Sequence, residues 1–157
     1  MTRLHRTFVL APALAIALFG HASIASAPAG RYTIAGGTVT DTKTGLVWQQ
    51  TASTSKYPWT SSSATTASAY CAALSLNGTK PWRVPSLKEL MTIVDLTQKS
   101  PAIDGAAFPS TPADFFWSAT PTLGFSGQIY WTVQFDTGIS DGTTVAAVNP
   151  AYVRCVR

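Results

Sequence analysis

Charged residues are scarce in this sequence: Asp, Glu, Lys and Arg make up 11% of its 157 residues, and the formal net charge is +4. Disordered chains combine low hydrophobicity with high net charge, whereas 46% of this chain is hydrophobic, so the composition excludes a disordered protein. Coiled coils carry more charge than this. No uninterrupted apolar run reaches the roughly 18 residues of a spanning helix. The composition therefore predicts one globular domain.

The first 27 residues have the three-part layout of a secretory signal peptide. Two arginines precede an apolar run over residues 8–19, and small residues follow up to residue 27. A run of about 12 residues at 1.5 Å each is shorter than the roughly 30 Å hydrocarbon core, so we expect no membrane anchor after cleavage. Cleavage after Ala25, Ala27 or Ala29 leaves one domain, residues 28–157, in the periplasm or outside the cell. The alternative is a buried N-terminal helix.

Histidine is absent after residue 21, because both histidines, His5 and His21, lie in this leader. The remaining chain has nine basic residues against seven acidic ones, a net charge near +2. Chemistry that uses an imidazole base or an imidazole metal ligand is therefore excluded there. So weak a positive charge predicts no nucleic-acid partner.

Cysteine is equally scarce, since Cys71 and Cys155 are the only thiols. In an exported protein the economical interpretation is one disulfide between them, which joins an early helix to the last strand. The alternative is a free, reactive thiol pair.

Local patterns predict a hairpin and two helices. Residues 38–48 are typical of a β-hairpin whose turn ends at Gly45. A first helix is predicted over residues 62–76, with serines as its N-terminal caps and Asn77-Gly78 at its end. The second helix begins with a capping box, Ser86 and Glu89, and has an apolar face formed by Leu87, Leu90, Met91 and Val94.

The second half of the sequence is first irregular and then extended. Residues 99–125 form a long loop region with one short strand at 115–119. Residues 129–136 alternate apolar and polar side chains, and residues 145–148 and 151–156 are expected as further strands, with Arg154 facing away from Val153 and Cys155. Early helices and late strands predict an α+β fold in which two helices pack on a small twisted antiparallel sheet.

Six segments, in this order, resemble the Lcl C-terminal domain family, also known as domain of unknown function 1566. They are TVTDTKTGLVWQQ (38–50), AYCAAL (69–74), WRVPSLKEL (82–90), Phe108-Pro109, FWSAT (116–120) and VRCVR (153–157). The family is similar in fold to C-type lectin-like domains and to the formylglycine-generating enzyme group. The resemblance implies an exported binding or adhesion module, since the family's namesake is a surface adhesin associated with sulfated glycosaminoglycans.

The resemblance also limits the chemistry that carries over. The chain lacks collagen-like repeats and the Glu-Pro-Asn and Trp-Asn-Asp tripeptides of calcium-dependent lectins, so we expect no cofactor; a calcium site built from aspartates is the alternative. Formylglycine generation needs a reactive cysteine pair, and here both cysteines occupy the family's structural disulfide positions. The family motifs imply structural roles, with Arg83 in a buried ion pair rather than an anion site, for Trp82, Arg83, Pro85, Ser86, Glu89 and Trp117.

One surface patch is the candidate binding site. Aromatic rings stack on sugar faces and ammonium groups attract anions. A patch of aromatic and basic residues therefore predicts a sulfated or acidic glycan as ligand. Trp59, in a polar loop, is expected to be exposed, whereas Trp48, Trp82, Trp117 and Trp131 are expected in the core. The alternative is a set of scattered, solvated lysines. The patch comprises Lys56, Tyr57, Trp59, Lys80 and Lys99.

Together these patterns predict a non-catalytic, exported binding or adhesion module. The expected partner of this module is an anionic glycan or another surface protein. The module can also form oligomers in this interpretation. Two alternatives belong to other classes: an enzyme, either of the formylglycine-generating type or a hydrolase, and a structural subunit whose apolar surface serves oligomerisation.

Overall fold

A computed structural model describes residues 27–60, 64–123, 129–142 and 149–157. The predicted leader, apart from Ala27, and the predicted strand at 145–148 lie outside these residues. The described part contains six strands and two helices. In chain order they are β1 (Tyr32–Ala35), β2 (Thr38–Asp41), β3 (Val47–Gln49), α1 (Ala67–Ala73), α2 (Leu87–Met91), β4 (Phe115–Pro121), β5 (Tyr130–Gln134) and β6 (Ile139–Asp141).

The strands form two small antiparallel sheets, with orders β1-β2-β3 and β4-β5-β6. The predicted hairpin is confirmed as β2 and β3, in which Val39 pairs with Trp48. Its turn closes at Gly45, whose φ of +74° lies in the left-handed region that glycine adopts without a Cβ clash. The prediction of a single sheet is wrong, and the mixed α/β architecture has two.

Both helices are shorter than predicted. Helix α1 starts at Ala67, because the Thr66 hydroxyl, rather than a serine, accepts the hydrogen bond of Ala69 N at 3.2 Å. Helix α2 begins with the predicted capping box of Ser86 and Glu89 and packs against β4 and β5. Among the described residues, no helix is long and apolar enough to cross a bilayer.

Residues 151–157, which we call the C-terminal segment, do not form the predicted closing strand. They are extended but pair in isolated bridges with several partners in turn: Ala151 with Tyr57, Tyr152 with Phe116, and Val156 with both Trp48 and Arg83. A segment that changes partner every few residues builds no continuous ladder. It joins the two sheets instead.

The core has two clusters, and the strands between them contribute alternate side chains to each. In β4, Phe116 packs in the cluster that contains Trp48 and Leu90, whereas Trp117 packs in the cluster that contains Trp82 and Cys71. Trp48, Trp82 and Trp117 are buried as predicted.

The expectation that Trp131 belongs to the core is wrong. Trp131 is only half-buried. Its indole lies against Gly142, where an added Cβ would come within 3.0 Å of the ring. The alternating pattern of residues 129–136 identified the strand correctly, but the side chain covers an edge of the second sheet rather than its interior.

Candidate functional site

Four half-buried aromatic side chains lie together at the edge of the second core cluster, and we call them the aromatic band. Tyr57 stacks on Tyr70 of α1, with ring centroids 4.8 Å apart and planes 26° apart. Trp59 lies against Tyr130 of β5, with centroids 4.1 Å apart and planes 31° apart. The band comprises Tyr57, Trp59, Tyr70 and Tyr130, all packed against the same cluster.

Hydrogen bonds from the interior fix Tyr57 and Tyr70 of the aromatic band. Tyr57 exchanges both main-chain hydrogen bonds with Ala151, at 2.8 and 3.0 Å. The buried Trp117 donates its indole N–H to the carbonyl oxygen of Tyr57 at 2.7 Å. The Gln49 amide donates to the Tyr70 hydroxyl at 2.8 Å. Trp59 and Tyr130 have ring contacts instead, with each other and between Trp59 and Trp117.

The sequence predicted an exposed Trp59, but the structure shows this side chain half-buried. Its ring is half-buried between Tyr130 and the edge of Trp117, whose centroid lies 5.9 Å away. The polar residues around Trp59 predicted a solvated loop, but the partner rings come from β4 and β5, 58 and 71 residues downstream. One part of the indole is therefore structural and the rest is available at the surface.

Lys56 lies beside the aromatic band, but its positive charge is already paired with Asp114. Its ammonium nitrogen lies 2.7 Å from a carboxylate oxygen of Asp114 and 5.3 Å from the ring centroid of Tyr152. The Lys56 side chain keeps 38% of its surface exposed. Lys56 is thus a partly exposed cation that is paired with Asp114.

The other two predicted lysines lie elsewhere. Lys80 is exposed and precedes Pro81, and Lys99 is exposed in the loop after α2. Next to Lys99, the Ser100 hydroxyl donates to Asp136 at 2.5 Å. Within the described ranges, neither lysine forms an ion pair or a cation–π contact with the aromatic band. The structure therefore brings together Lys56, Tyr57 and Trp59 out of the five predicted residues.

The motif at the start of α2 forms an ion pair as predicted, but the pair is not buried. Both terminal nitrogens of Arg83 donate to Glu89, at 2.6 and 2.7 Å. Hydrogen bonding from Arg83 lowers the pKa of Glu89 to about 2, against the opposing effect of burial. The Arg83 side chain is 53% exposed, because the segment turns it outward from the core that its neighbour Trp82 fills.

The other motif residues are structural. The Trp82 indole donates to the carbonyl oxygen of Thr79 at 2.8 Å. Pro85 is buried, and its carbonyl oxygen accepts from Ala119 N at 2.7 Å, which ties the start of α2 to β4.

A family model, that of the Lcl C-terminal domain, matches residues 37–157. The chain belongs to this family. Comparison with the curated proteins and with the solved structures finds no match. The matched range includes the aromatic band, the motif before α2 and both cysteines of this Lcl C-terminal domain.

The two cysteines of the Lcl C-terminal domain form the predicted disulfide. Cys71 of α1 and Cys155 are bonded, both are fully buried, and 84 positions separate them in sequence. The alternative of a free thiol pair is therefore wrong. Around the bond, Cys155 N donates to the side-chain oxygen of Gln49 at 3.1 Å.

Arg154 is the most unusual polar residue of the domain, and the sequence did not single it out. It is fully buried, with its guanidinium carbon 4.7 Å from the ring centroid of Phe108. Its nitrogens donate to the carbonyl oxygens of Gln49 and Gln50 and to the Thr111 hydroxyl. No carboxylate of the described residues lies within ion-pair distance of it. Burial lowers the pKa of Arg154 to about 9.

No cluster of three or more His, Cys, Asp or Glu side chains that could hold a metal ion occurs in the described ranges. Most aspartates in them already have structural partners. Asp41, for example, pairs with Arg31 at 3.1 Å, and the Asp104 carboxylate accepts the main-chain N–H groups of Ala27, Ala106 and Ala107. Besides the aromatic band, the described residues line a cleft of about 360 Å³ that includes Arg31, Tyr32 and Asp104, and another of about 460 Å³ that includes Pro81, Arg83 and Arg157.

Proposed function

We propose that this Lcl C-terminal domain is an exported, non-catalytic binding or adhesion module that recognises acidic or sulfated glycans. The observation that carries the proposal is the aromatic band, one stacked and one tilted pair of half-buried rings beside Lys56. Aromatic side chains that are half-buried offer a rigid apolar surface with a polar tip, which suits the apolar face of a sugar ring. Lys56 supplies a cation for an attached sulfate or carboxylate.

The finer architecture that we propose is a C-type lectin-like arrangement. Two helices, two small antiparallel sheets and a long irregular segment between α2 and β4 support it, as does a disulfide from the first helix to the C-terminal segment. The disulfide also supports an oxidising location, the periplasm or the cell exterior, as the leader predicts.

Three features support a binding module rather than an enzyme. Both thiols are consumed in a buried disulfide. The sequence has no histidine after His21. Glu89, the sole glutamate, is engaged by Arg83 and by the cap of α2. A reactive thiol, an imidazole and a free glutamate are three of the groups that enzymes use for nucleophilic and acid–base catalysis.

The test is retention of the purified protein on immobilised heparin over a salt gradient. We expect Lys56→Gln and Trp59→Ala to elute at clearly lower salt than the wild type, and retention to weaken as salt rises. Lys43→Gln, in the β2–β3 turn, makes the same charge change away from the aromatic band and serves as the matched control. Thermal melts identify any variant that loses its fold. Trp59→Phe serves as the conservative variant, because it keeps an aromatic ring at position 59.

Two results would count against the glycan proposal. One is a wild-type protein that is not retained by heparin or by any acidic glycan on an array. The other is equal elution of Lys56→Gln and Lys43→Gln, which would assign retention to net charge rather than to the aromatic band.

A second candidate function, assembly of like subunits or docking of another surface protein, rests on two exposed apolar side chains. Leu96 and Ile139 are 76% and 61% exposed. Leu96 lies against Gly138, the residue before Ile139, because an added Cβ at Gly138 would come within 2.7 Å of the Leu96 side chain. Sedimentation of the wild type beside Leu96→Ser tests this candidate, which predicts an oligomer in the wild type only.

A further inference from the structure

Residues 27–31 lead the chain into β1, and we call them the entry segment. Its first residue, Ala27, is half-buried and donates its main-chain N–H to Oδ2 of Asp104 at 3.1 Å, across 77 positions of sequence. Within the segment, Arg31 N donates to the carbonyl oxygen of Pro28 at 3.1 Å and closes a turn. The entry segment is therefore attached to the folded domain from its first residue onward.

The acceptor of the Ala27 hydrogen bond is a buried carboxylate. Asp104 is 4% exposed, and its other oxygen, Oδ1, accepts the main-chain N–H groups of Ala106 and Ala107 at 2.9 and 3.1 Å. No ion pair of the described residues includes Asp104. Because a buried acceptor that loses its donor destabilises the fold, Ala27 N–H is worth keeping in the mature chain.

The three candidate cleavage bonds of the leader differ in what they remove from the entry segment. Cleavage after Ala29 removes both the Ala27 N–H and the Pro28 carbonyl, and so both hydrogen bonds. Cleavage after Ala27 removes the bond to Asp104. It also needs a peptide bond to Pro28, whose nitrogen has no N–H to offer a protease that binds its substrate as an extended strand. Cleavage after Ala25 keeps both hydrogen bonds.

We propose that a leader peptidase cleaves after Ala25, so that the mature chain begins at Ser26. Both residues lie outside the described ranges, and the inference rests on the export proposed above. Water adds to the Ala25 carbonyl carbon and the peptide bond breaks, which leaves a carboxylate on Ala25 and an ammonium group on Ser26. Adjacent main-chain nitrogens are less than about 4 Å apart, so the new positive charge lies within roughly 7 Å of the Asp104 carboxylate.

The experiment is the intact mass of the protein exported by a bacterial host from the full 157-residue sequence. We expect a chain that begins at Ser26. Leader peptidases require small residues at the first and third positions before the bond. Ala25→Phe blocks the bonds after Ala25 and Ala27, whereas Ala27→Phe blocks those after Ala27 and Ala29. We therefore expect Ala25→Phe to accumulate as the uncleaved chain and Ala27→Phe to be processed like the wild type.

A second measurement tests the contact with Asp104. Deletion of residues 26–29 keeps the cleavage site and starts the mature chain at Gly30, and we expect its melting temperature to fall by about 3–6 °C. In Asp104→Asn the side chain keeps one oxygen for the turn, but an amide nitrogen replaces the oxygen that faces Ala27. The same deletion should cost Asp104→Asn less than half as much, because the contact is already lost.

Three results overturn the proposal. One is a mature chain that begins at Pro28 or Gly30, which leaves export standing. Another is an uncleaved chain that stays in the cytoplasm, which overturns export as well. The third is loss of processing in Ala27→Phe. Equal melting temperatures with and without residues 26–29 would show that the entry segment does not favour one cleavage bond, and they would remove the structural argument.

Discussion

At the scale of single residues, Arg154 shows how a cation is accommodated in a core without an acid. Carbonyl oxygens of Gln49 and Gln50 and the hydroxyl of Thr111 surround it, and the Phe108 ring covers one face. Even with burial lowering its pKa to about 9, the guanidinium is charged at neutral pH. Arg154 therefore ties the chain after β3 to the loop that precedes β4.

Replacement of Arg154 by Met should lower the free energy of unfolding by about 3 kcal/mol, because two carbonyl oxygens and a hydroxyl lose their buried donor. Urea denaturation at pH 7 measures the change. Arg157→Met removes an exposed arginine of the same segment and should cost under about 0.5 kcal/mol. If Arg154→Met is as stable as the wild type, the desolvation of the cation offsets all its hydrogen bonds.

The importance of Arg154 could not be predicted from the sequence, since alternation with Val153 and Cys155 indicates only that it faces the other way. That other side is also covered, by Phe108 and by residues 100 or more positions upstream. Lys56 and Trp59 show the same limit, because Asp114 and Tyr130 become their neighbours only in the folded chain. The motif residues Ser86 and Glu89 were predictable because their partners lie three positions apart.

At the scale of elements, α2 and the hairpin could be predicted and the C-terminal segment could not. A capping box and a glycine turn act between residues a few positions apart, so the local sequence contains the whole interaction. The C-terminal segment takes its conformation from partners near residues 47, 57, 83 and 116. Apolar alternation alone makes it look like an ordinary strand.

The ion pair at the start of α2 predicts a specific pH dependence. Arg83 holds the pKa of Glu89 at about 2, below its ordinary value of 4.5, so the stabilisation is complete above pH 4.5 and is lost as the pH falls towards 2. We expect a contribution of about 1 kcal/mol, because solvent screens the exposed Arg83.

Glu89→Gln tests this dependence, because glutamine retains a capping carbonyl but not the charge. The variant should lose about 1 kcal/mol at pH 7 and little more between pH 4.5 and 2. Urea denaturation across this pH range compares it with the wild type. Parallel pH curves for the two proteins would contradict a stabilising charge on Glu89.

At the scale of the whole molecule, the disulfide between α1 and the C-terminal segment should be the largest single contribution to stability. A cross-link that closes a loop with a separation of 84 residues contributes about 4.5 kcal/mol in the chain-entropy model. We expect Cys71→Ala/Cys155→Ala to be largely unfolded at 37 °C, and dithiothreitol to lower the melting temperature of the wild type. Equal melting temperatures with and without reductant would contradict this.

The pairing pattern of the C-terminal segment also sets the order in which the chain can fold. Val153 bonds to Ser53, Arg154 to Gln49 and Cys155 to Gln49, over separations of 100, 105 and 106 residues. Until the residues after 150 have been synthesised, β3 and the loop beyond it have no partner on that side. Loops this long close slowly. A nascent chain therefore leaves this side of β3 open until residues 151–157 have been synthesised, and until then it is available to whatever machinery handles unfolded polypeptides.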